Sequence, residues 1–207
     1  MKDIKILYED NHLLVVVKPQ NVPVMADSSN DKDLLTLCKE YIKQKDDKPG
    51  NVYLGLVHRL DRPTGGVMVF AKTSKAAARI SEAIREGEVE KNYLAILLGT
   101  PRERQGKLTH YLLKDEKANT VNIVPMSTEG AKKAMLEYWI AGEYGKLSLA
   151  RIKLITGRTH QIRVQMNSLN TPVLGDMKYG GNIMPKGFNL GLVTAKDTPF
   201  EVYSEEE

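Results

Sequence analysis

AKKAMLEYWIAGEYGKLSLARIKLI, residues 131–155, holds two long apolar runs, Ala131 to Ala141 and Leu147 to Ile155. Their richness in β-branched, aromatic and leucine residues predicts strands. In the second run Leu147 and Leu149, then Ile152 and Leu154, alternate imperfectly, which suits a bulge. Gly157 ends it. Upstream, Val89 to Leu98 reads as a long strand broken by Gly99 and Pro101, and Lys107 to Leu113 and Thr120 to Val124 read as two more. Strands dominate this middle region, and the regular strand–helix alternation of a doubly wound fold is missing. The expectation is an α+β fold: one domain over residues 1–207, a mixed, largely antiparallel β-sheet and flanking helices.

Further out, Ile4 to Asp10 and Leu13 to Lys18 predict two short strands, the second apolar enough to run through the core. A helical pattern begins at Asp31, with Leu34, Leu35, Cys38, Tyr41 and Ile42 at spacings of three and four. Val67 to Phe70 is a strand entered through Gly65 and Gly66. Ser74 is the expected cap of a second helix that buries Ala77, Ile80, Ala83 and Ile84 and ends at Gly87. Thr159 is the expected cap of a third, with Ile162, Met166 and Leu169 on one face. A strand pair at Leu192 to Ala195 and Phe200 to Tyr203 closes the count at about ten strands and three helices.

Composition is that of an ordinary globular chain, 42% hydrophobic and 27% charged. No run reaches the roughly 20 apolar residues of a membrane span. The opening MKDIKILYED is too charged for a signal peptide core. The single cysteine, Cys38, excludes an intramolecular disulfide and a cysteine zinc cluster, and fits a reduced, cytoplasmic setting. The formal charge is only +4, but it is unevenly spread. From Tyr144 to Lys196 there are eight Lys or Arg and one acid, whereas Asp197 to Glu207 carries five acids and no base. Such a basic segment either faces a polyanion such as nucleic acid or is a solvated surface.

The most unusual local sequence is Val57-His58-Arg59-Leu60-Asp61-Arg62-Pro63-Thr64-Gly65-Gly66. Arginines close to a carboxylate keep it ionised and fix its direction, which suits a nucleophile or electrostatic stabiliser. The same spacing also fits a salt bridge that only pins a loop. In Thr156-Gly157-Arg158-Thr159-His160-Gln161-Ile162-Arg163 a strand hands over to a helix, whose first N–H groups could receive an anion. Arg158 is placed to reach Asp61, and His160 is either a base or a structural hydrogen bonder. In Lys91-Asn92-Tyr93-Leu94-Ala95 the tyrosine either stacks on a planar ligand or belongs to the core. Gly175-Asp176-Met177-Lys178-Tyr179-Gly180-Gly181 is a turn with two charges and an aromatic. No metal-ligand spacing, phosphate loop or dinucleotide fingerprint is present, so neither metal nor cofactor is expected.

Taken together these blocks resemble the RluA-like family of RNA pseudouridine synthases. His58-Arg59-Leu60-Asp61 followed by Thr64-Gly65-Gly66 is similar to the family's catalytic motif, HRLD-x-x-T-[SG]-G. Leu14 to Pro19 resembles its first block, with Val17 in place of an asparagine. Lys91 to Ala95, Thr156 to Arg163 and Pro172 to Gly180 resemble three more, in order. The likeness runs from about Leu14 to Ala195. It departs at Leu192-Val193-Thr194-Ala195, where the family commonly has Leu-His-Ala. Many relatives carry an S4-type RNA-binding domain ahead of the catalytic one. The residues before Leu14 leave no room for it, so a bare catalytic domain is expected.

The resemblance implies the pseudouridine synthase catalytic fold and isomerisation of a uridine in rRNA or tRNA, without cofactor or metal, by a monomer. Asp61 is implied as the catalytic carboxylate, Tyr93 as the residue stacked on the flipped uracil, and Arg158 as the partner of Asp61. Tyr93 is also implied as an aid to removing the C5 proton. Arg59 would fill the gap left by the turned-out base. His58, Arg62, Thr159, Gln161, Arg163 and Lys178 are the further expected RNA contacts. Two other readings stand beside this one: an RNA-binding relative without activity, and a nucleoside or glycosidic-bond hydrolase, which needs a second carboxylate.

Overall fold

The computed structural model describes residues 4–47, 49–180 and 189–194. In chain order the elements are β1 (Lys5–Glu9), β2 (Leu13–Lys18), α1 (Leu34–Lys45), β3 (Gly55–Leu56), β4 (Gly65–Ala71) and α2 (Ser74–Glu86). There follow β5 (Lys91–Leu98), β6 (Gln105–Asp115), β7 (Thr120–Val124), β8 (Lys132–Tyr144), β9 (Leu147–Leu154), α3 (Gln161–Asn167) and β10 (Leu192–Thr194). The strands form one sheet in the order β1-β2-β4-β10-β5-β9-β8-β6-β7, with β3 paired to β4. Only β10 against β4 is parallel among the named pairs, so the sheet is mixed and largely antiparallel, as expected.

The sheet has two halves, each with its own core. In the first, Leu14 and Val16 of β2 and Met68 and Phe70 of β4 pack against Leu34, Cys38 and Ile42 of α1. In the second, Ala95 and Leu97, Leu136 and Tyr138, and Ala150 and Ile152 cover Ile162 and Met166 of α3. The period of two fixes what else points inward. On β2 it makes Lys18 the third member of the buried face after Leu14 and Val16. On β5 it puts Tyr93 on the face of Ala95 and Leu97, where it packs against both cores.

Strand β10 joins the halves. Val193 and Thr194 pair with Gly65 and Gly66 on one side and with Leu94 and Tyr93 on the other. Two motifs far apart in the chain thereby become neighbours. Gly66 makes this possible: its φ is +117°, and a Cβ there would lie 2.2 Å from Thr194 Oγ1 and 2.6 Å from Thr194 N. Thr194 itself donates to Val67 O at 3.2 Å.

Several local expectations need correction. The alternation in β9 is regular: Ser148, Ala150, Ile152 and Leu154 all face inward, the first two being small, and Leu149 faces outward. The irregularity lies in β8, between Ile140 and Gly142. Helix α1 starts later than Asp31, because Asp33 is the side chain that caps it, accepting from Thr36 N–H at 2.9 Å. Thr73, not Ser74, caps α2. The α2 face at Ala77, Ile80, Ala83 and Ile84 is only half-buried, since that helix lies on the outside of β3 and β4. The expected strand at Phe200 to Tyr203, Ala195 and the acidic tail lie outside the described residues.

Candidate active site

Asp61 sits in the loop between β3 and β4. Leu60, buried in the first core, anchors the loop from one side. Val69 N–H donates to His58 Nε2 at 3.0 Å and ties it to β4. Thr64 N–H donates to Asp61 O at 3.0 Å and closes a turn. Beneath that turn lies Lys18. Its ammonium donates to Thr64 O at 2.7 Å, Arg62 O at 2.9 Å and Pro19 O at 3.0 Å. Three donors thus meet three carbonyls, which is what a lysine 1% exposed requires. Burial pulls its pKa down to about 8, against the attraction of Asp61.

The guanidinium that faces Asp61 belongs to Arg163. Its Nε and Nη2 form a fork on Asp176, each bond 2.7 Å, and Nη1 is left 3.6 Å from Asp61 Oδ2. The guanidinium also lies 5.1 Å above the Tyr179 ring. Asp176 is held in turn by the backbone N–H groups of Lys178 and Tyr179. His160 Nε2 stands 3.8 Å from the same Asp61 oxygen.

The expected Asp61–Arg158 pair is therefore corrected. Arg158 lies outside the start of α3 and is exposed, with Nε donating to Lys133 O at 2.9 Å. It stands near Lys91, whose ammonium burial and the Arg158 charge both push below its usual range. Arg163, expected at RNA, is buried on α3 and takes the partner role instead.

Three other expected RNA contacts are engaged inside the protein. His58 is the acceptor for Val69, and burial, helped by Lys91, holds its pKa below the usual imidazole value. Gln161 is 2% exposed. Its Oε1 accepts from Thr156 Oγ1 and Arg158 N–H, and its Nε2 donates to Met135 O. That side chain organises the turn into α3, so Thr159 is not its cap; the cap position is His160, in the left-handed region at φ 50°. Arg62 is clamped by Asp27, Ser29 and Asp31, and the two carboxylates offset its charge. Arg59 and Thr159 are exposed, and Lys178 is exposed with Nζ donating to Asn119 O at 2.7 Å. Lys114, Lys132, Arg158 and Thr159 line an open groove of about 420 Å³.

Tyr93 and Asp61 are close enough to feel each other. Burial, then the Asp61 charge, push the phenol up to about 12. It keeps its proton at neutral pH, so it is suited to stacking and to donating a hydrogen bond and poorly suited to taking a proton. Lys18 and the role of Arg163 were missed in the sequence. The signal available for Lys18 was a lone charge ending the uninterrupted apolar run of β2.

A family described as RNA pseudouridylate synthase matches residues 12–168. Ribosomal large subunit pseudouridine synthase C of Buchnera aphidicola is 37% identical over 175 residues, covering 84% of this chain and 53% of the relative. Ribosomal large subunit pseudouridine synthase D of Yersinia pestis is 36% identical over 182 residues, covering 87% and 54%. The chain thus spans about half the length of the curated relatives it matches. Among solved structures, human RNA Pseudouridylate Synthase Domain Containing 4 superposes with a TM-score of 0.77 at 25% identity, covering 91% of this chain and 81% of that one. Human RNA Pseudouridylate Synthase Domain Containing 1 gives 0.73 at 28% identity, covering 93% and 77%.

Proposed function

The chain belongs to the RNA pseudouridylate synthase family, and from that membership we propose that it converts uridine to pseudouridine within an RNA chain, with Asp61 as the reacting carboxylate. The observation that carries the reading is how Asp61 is held. Its side chain is 27% exposed, faced by Arg163 and set on a loop that Lys18 fastens from below. A carboxylate fixed in direction but open to a ligand is suited to attack or to stabilise a developing cation.

In the reaction the N1–C1′ bond breaks, the uracil turns, C5 bonds to C1′, the C5 proton leaves to water, and N1 takes up a proton in its place. Atoms and oxidation state balance without a co-reactant. Tyr93 stacks on the turned-out base and donates a hydrogen bond, its raised pKa speaking against a role as the base that removes the proton. Arg163 keeps the carboxylate oriented, and Arg59 occupies the space the base vacates. Phosphates run along the groove of Lys114, Lys132, Arg158 and Thr159. The substrate we propose is large-subunit ribosomal RNA, after the relatives' names. We propose further that the catalytic unit acts as a monomer in the cytoplasm. Among the described residues no helix is long and apolar enough to cross a membrane.

A hydrolase would need a second carboxylate across the scissile bond. Asp176 shares Arg163 with Asp61, but it is 1% exposed and fully engaged by the fork. One assay separates the readings: ribosomal and transfer RNA transcripts made with C5-tritiated uridine. Isomerisation releases tritium to water, hydrolysis releases free base, and mere binding leaves the RNA unchanged. Tritium release from the ribosomal transcript is expected; free uracil, or intact label in both RNAs, would overturn the reading.

A further inference from the structure

The network around Asp61 contains a residue that the proposed chemistry leaves without a task. His160 is buried, and its backbone takes a left-handed conformation that few side chains adopt, at φ 50° and ψ 19°. It makes no side-chain cap on α3. Its ring instead spans two groups: Nδ1 is 2.7 Å from the Tyr179 hydroxyl, and Nε2 is 3.8 Å from Asp61 Oδ2.

The neighbours favour one arrangement of the protons. Val121 N–H donates to the Tyr179 hydroxyl at 2.8 Å, so that oxygen is already an acceptor. The one proton of the phenol is then free to go to His160 Nδ1. Burial keeps the imidazole below its usual pKa, and Arg163 and Lys178 add to this against the opposing pull of Asp61 and Asp176. A neutral ring that accepts at Nδ1 carries its proton on Nε2. Nε2 lies nearest the same Asp61 oxygen that Arg163 Nη1 approaches, at 3.6 Å. The separation of 3.8 Å is beyond a hydrogen bond in the free protein, and catalytic hydrogen bonds are often long before substrate binds.

We propose that His160 is a positioning residue for Asp61, presenting an Nε2–H donor to Oδ2 in the tautomer that Tyr179 fixes. This rests on the reading of Asp61 as the reacting carboxylate. The chain Val121–Tyr179–His160–Asp61 sets one edge of the carboxylate, and the Asp176–Arg163 fork sets the other. Both lead back to the Gly175–Gly180 turn, which holds Asp176 and Tyr179. That turn is therefore part of the aiming of Asp61.

Two substitutions separate positioning from mere structure. Asparagine tolerates the left-handed backbone and its amide reaches the place of Nδ1, so His160→Asn keeps the Tyr179 contact and loses the donor to Asp61. Glutamine reaches the place of Nε2, so His160→Gln keeps that donor and loses the Tyr179 contact. Stability should rank Asn above Gln. Single-turnover tritium release at saturating ribosomal transcript should rank them the other way. Gln should stay within about tenfold of wild type and Asn should fall by about 30-fold or more, the loss of a hydrogen bond to a charged group. If both rankings favour Asn, the residue is structural and the proposal fails. Nitrogen-15 spectra of the wild-type imidazoles supply a test that needs neither variant nor activity. The proposal requires a pyrrole-type Nε2 and a pyridine-type Nδ1 at His160, with loss of that fixed pattern in Tyr179→Phe. The opposite tautomer in the wild type overturns it. Wild-type protein that releases no tritium would sink the isomerase reading, while the spectrum would still decide the geometry.

Discussion

Arg158 and Arg163 stand five positions apart in one motif, and side-chain chemistry alone does not say which one meets Asp61. The backbone decides. Arg158 precedes the left-handed turn at His160 and stays outside, whereas Arg163 lies on the buried side of α3. Arg163→Lys should therefore lose about 100-fold or more of the saturated single-turnover rate, since lysine cannot hold Asp176 by a fork and still face Asp61. Arg158→Lys should keep a near-normal saturated rate and only raise the RNA concentration needed to reach it. The reverse pattern would restore the pairing expected from the sequence. Lys18 makes a second case. Lys18→Met leaves the carbonyls of Pro19, Arg62 and Thr64 without their donor, at a cost of about 2–4 kcal/mol in urea unfolding. An unchanged midpoint would show that the ammonium does not fasten the loop. Asp61 and Tyr93 were singled out as candidates in the sequence through the family blocks that contain them, and the structure brings them near each other. Lys18 was not, because a charge becomes a buried fastener only once β2 has its neighbours.

Among the elements, β10 is one of the shortest and the most consequential. It has three residues, yet it is the piece that brings Gly65-Gly66 beside Tyr93. Gly66→Ala would place a methyl on the Thr194 backbone at a φ that disfavours any side chain. We expect a loss of about 3 kcal/mol or more and a weakened β10, measurable by chemical denaturation and by faster amide exchange at Thr194. Native-like exchange there would mean that the glycine is not needed. The strands were largely readable from apolar runs. The misreadings had physical causes: Ser148 and Ala150 are small residues on the inward face of β9, so hydrophobicity understated their burial. Gln161 took over the work of a cap from within the helix, which no cap signature announces.

For the molecule as a whole, acid should act in two stages. His58, His110 and His160 are each held below the usual imidazole pKa, chiefly by burial. The unfolded chain therefore binds protons at these rings before the folded chain does. Their contribution is full above about pH 7 and is lost as pH falls through about 6.5 and below. Glu9 acts lower: against the burial that would raise it, Lys45, Lys72 and Tyr41 bring its carboxyl down to about 2. Its contribution is lost as pH falls from about 4.5 toward 2. Urea unfolding across this range should show stability declining first near neutrality and again below pH 4 or so; a flat profile between about pH 7 and 5 would contradict the first stage. The two halves of the sheet, the fastened loop and the buried fork converge on one carboxylate, so the most direct test removes its charge and little else. Wild type and Asp61→Asn are to be compared for pseudouridine formed in a large-subunit ribosomal transcript, by nucleoside chromatography after complete digestion, with RNA affinity measured alongside. Wild type should form pseudouridine, and the variant should form less than about 1% as much while binding RNA within about threefold. Pseudouridine formed at a comparable rate by Asp61→Asn, free of deamidation, would contradict the account.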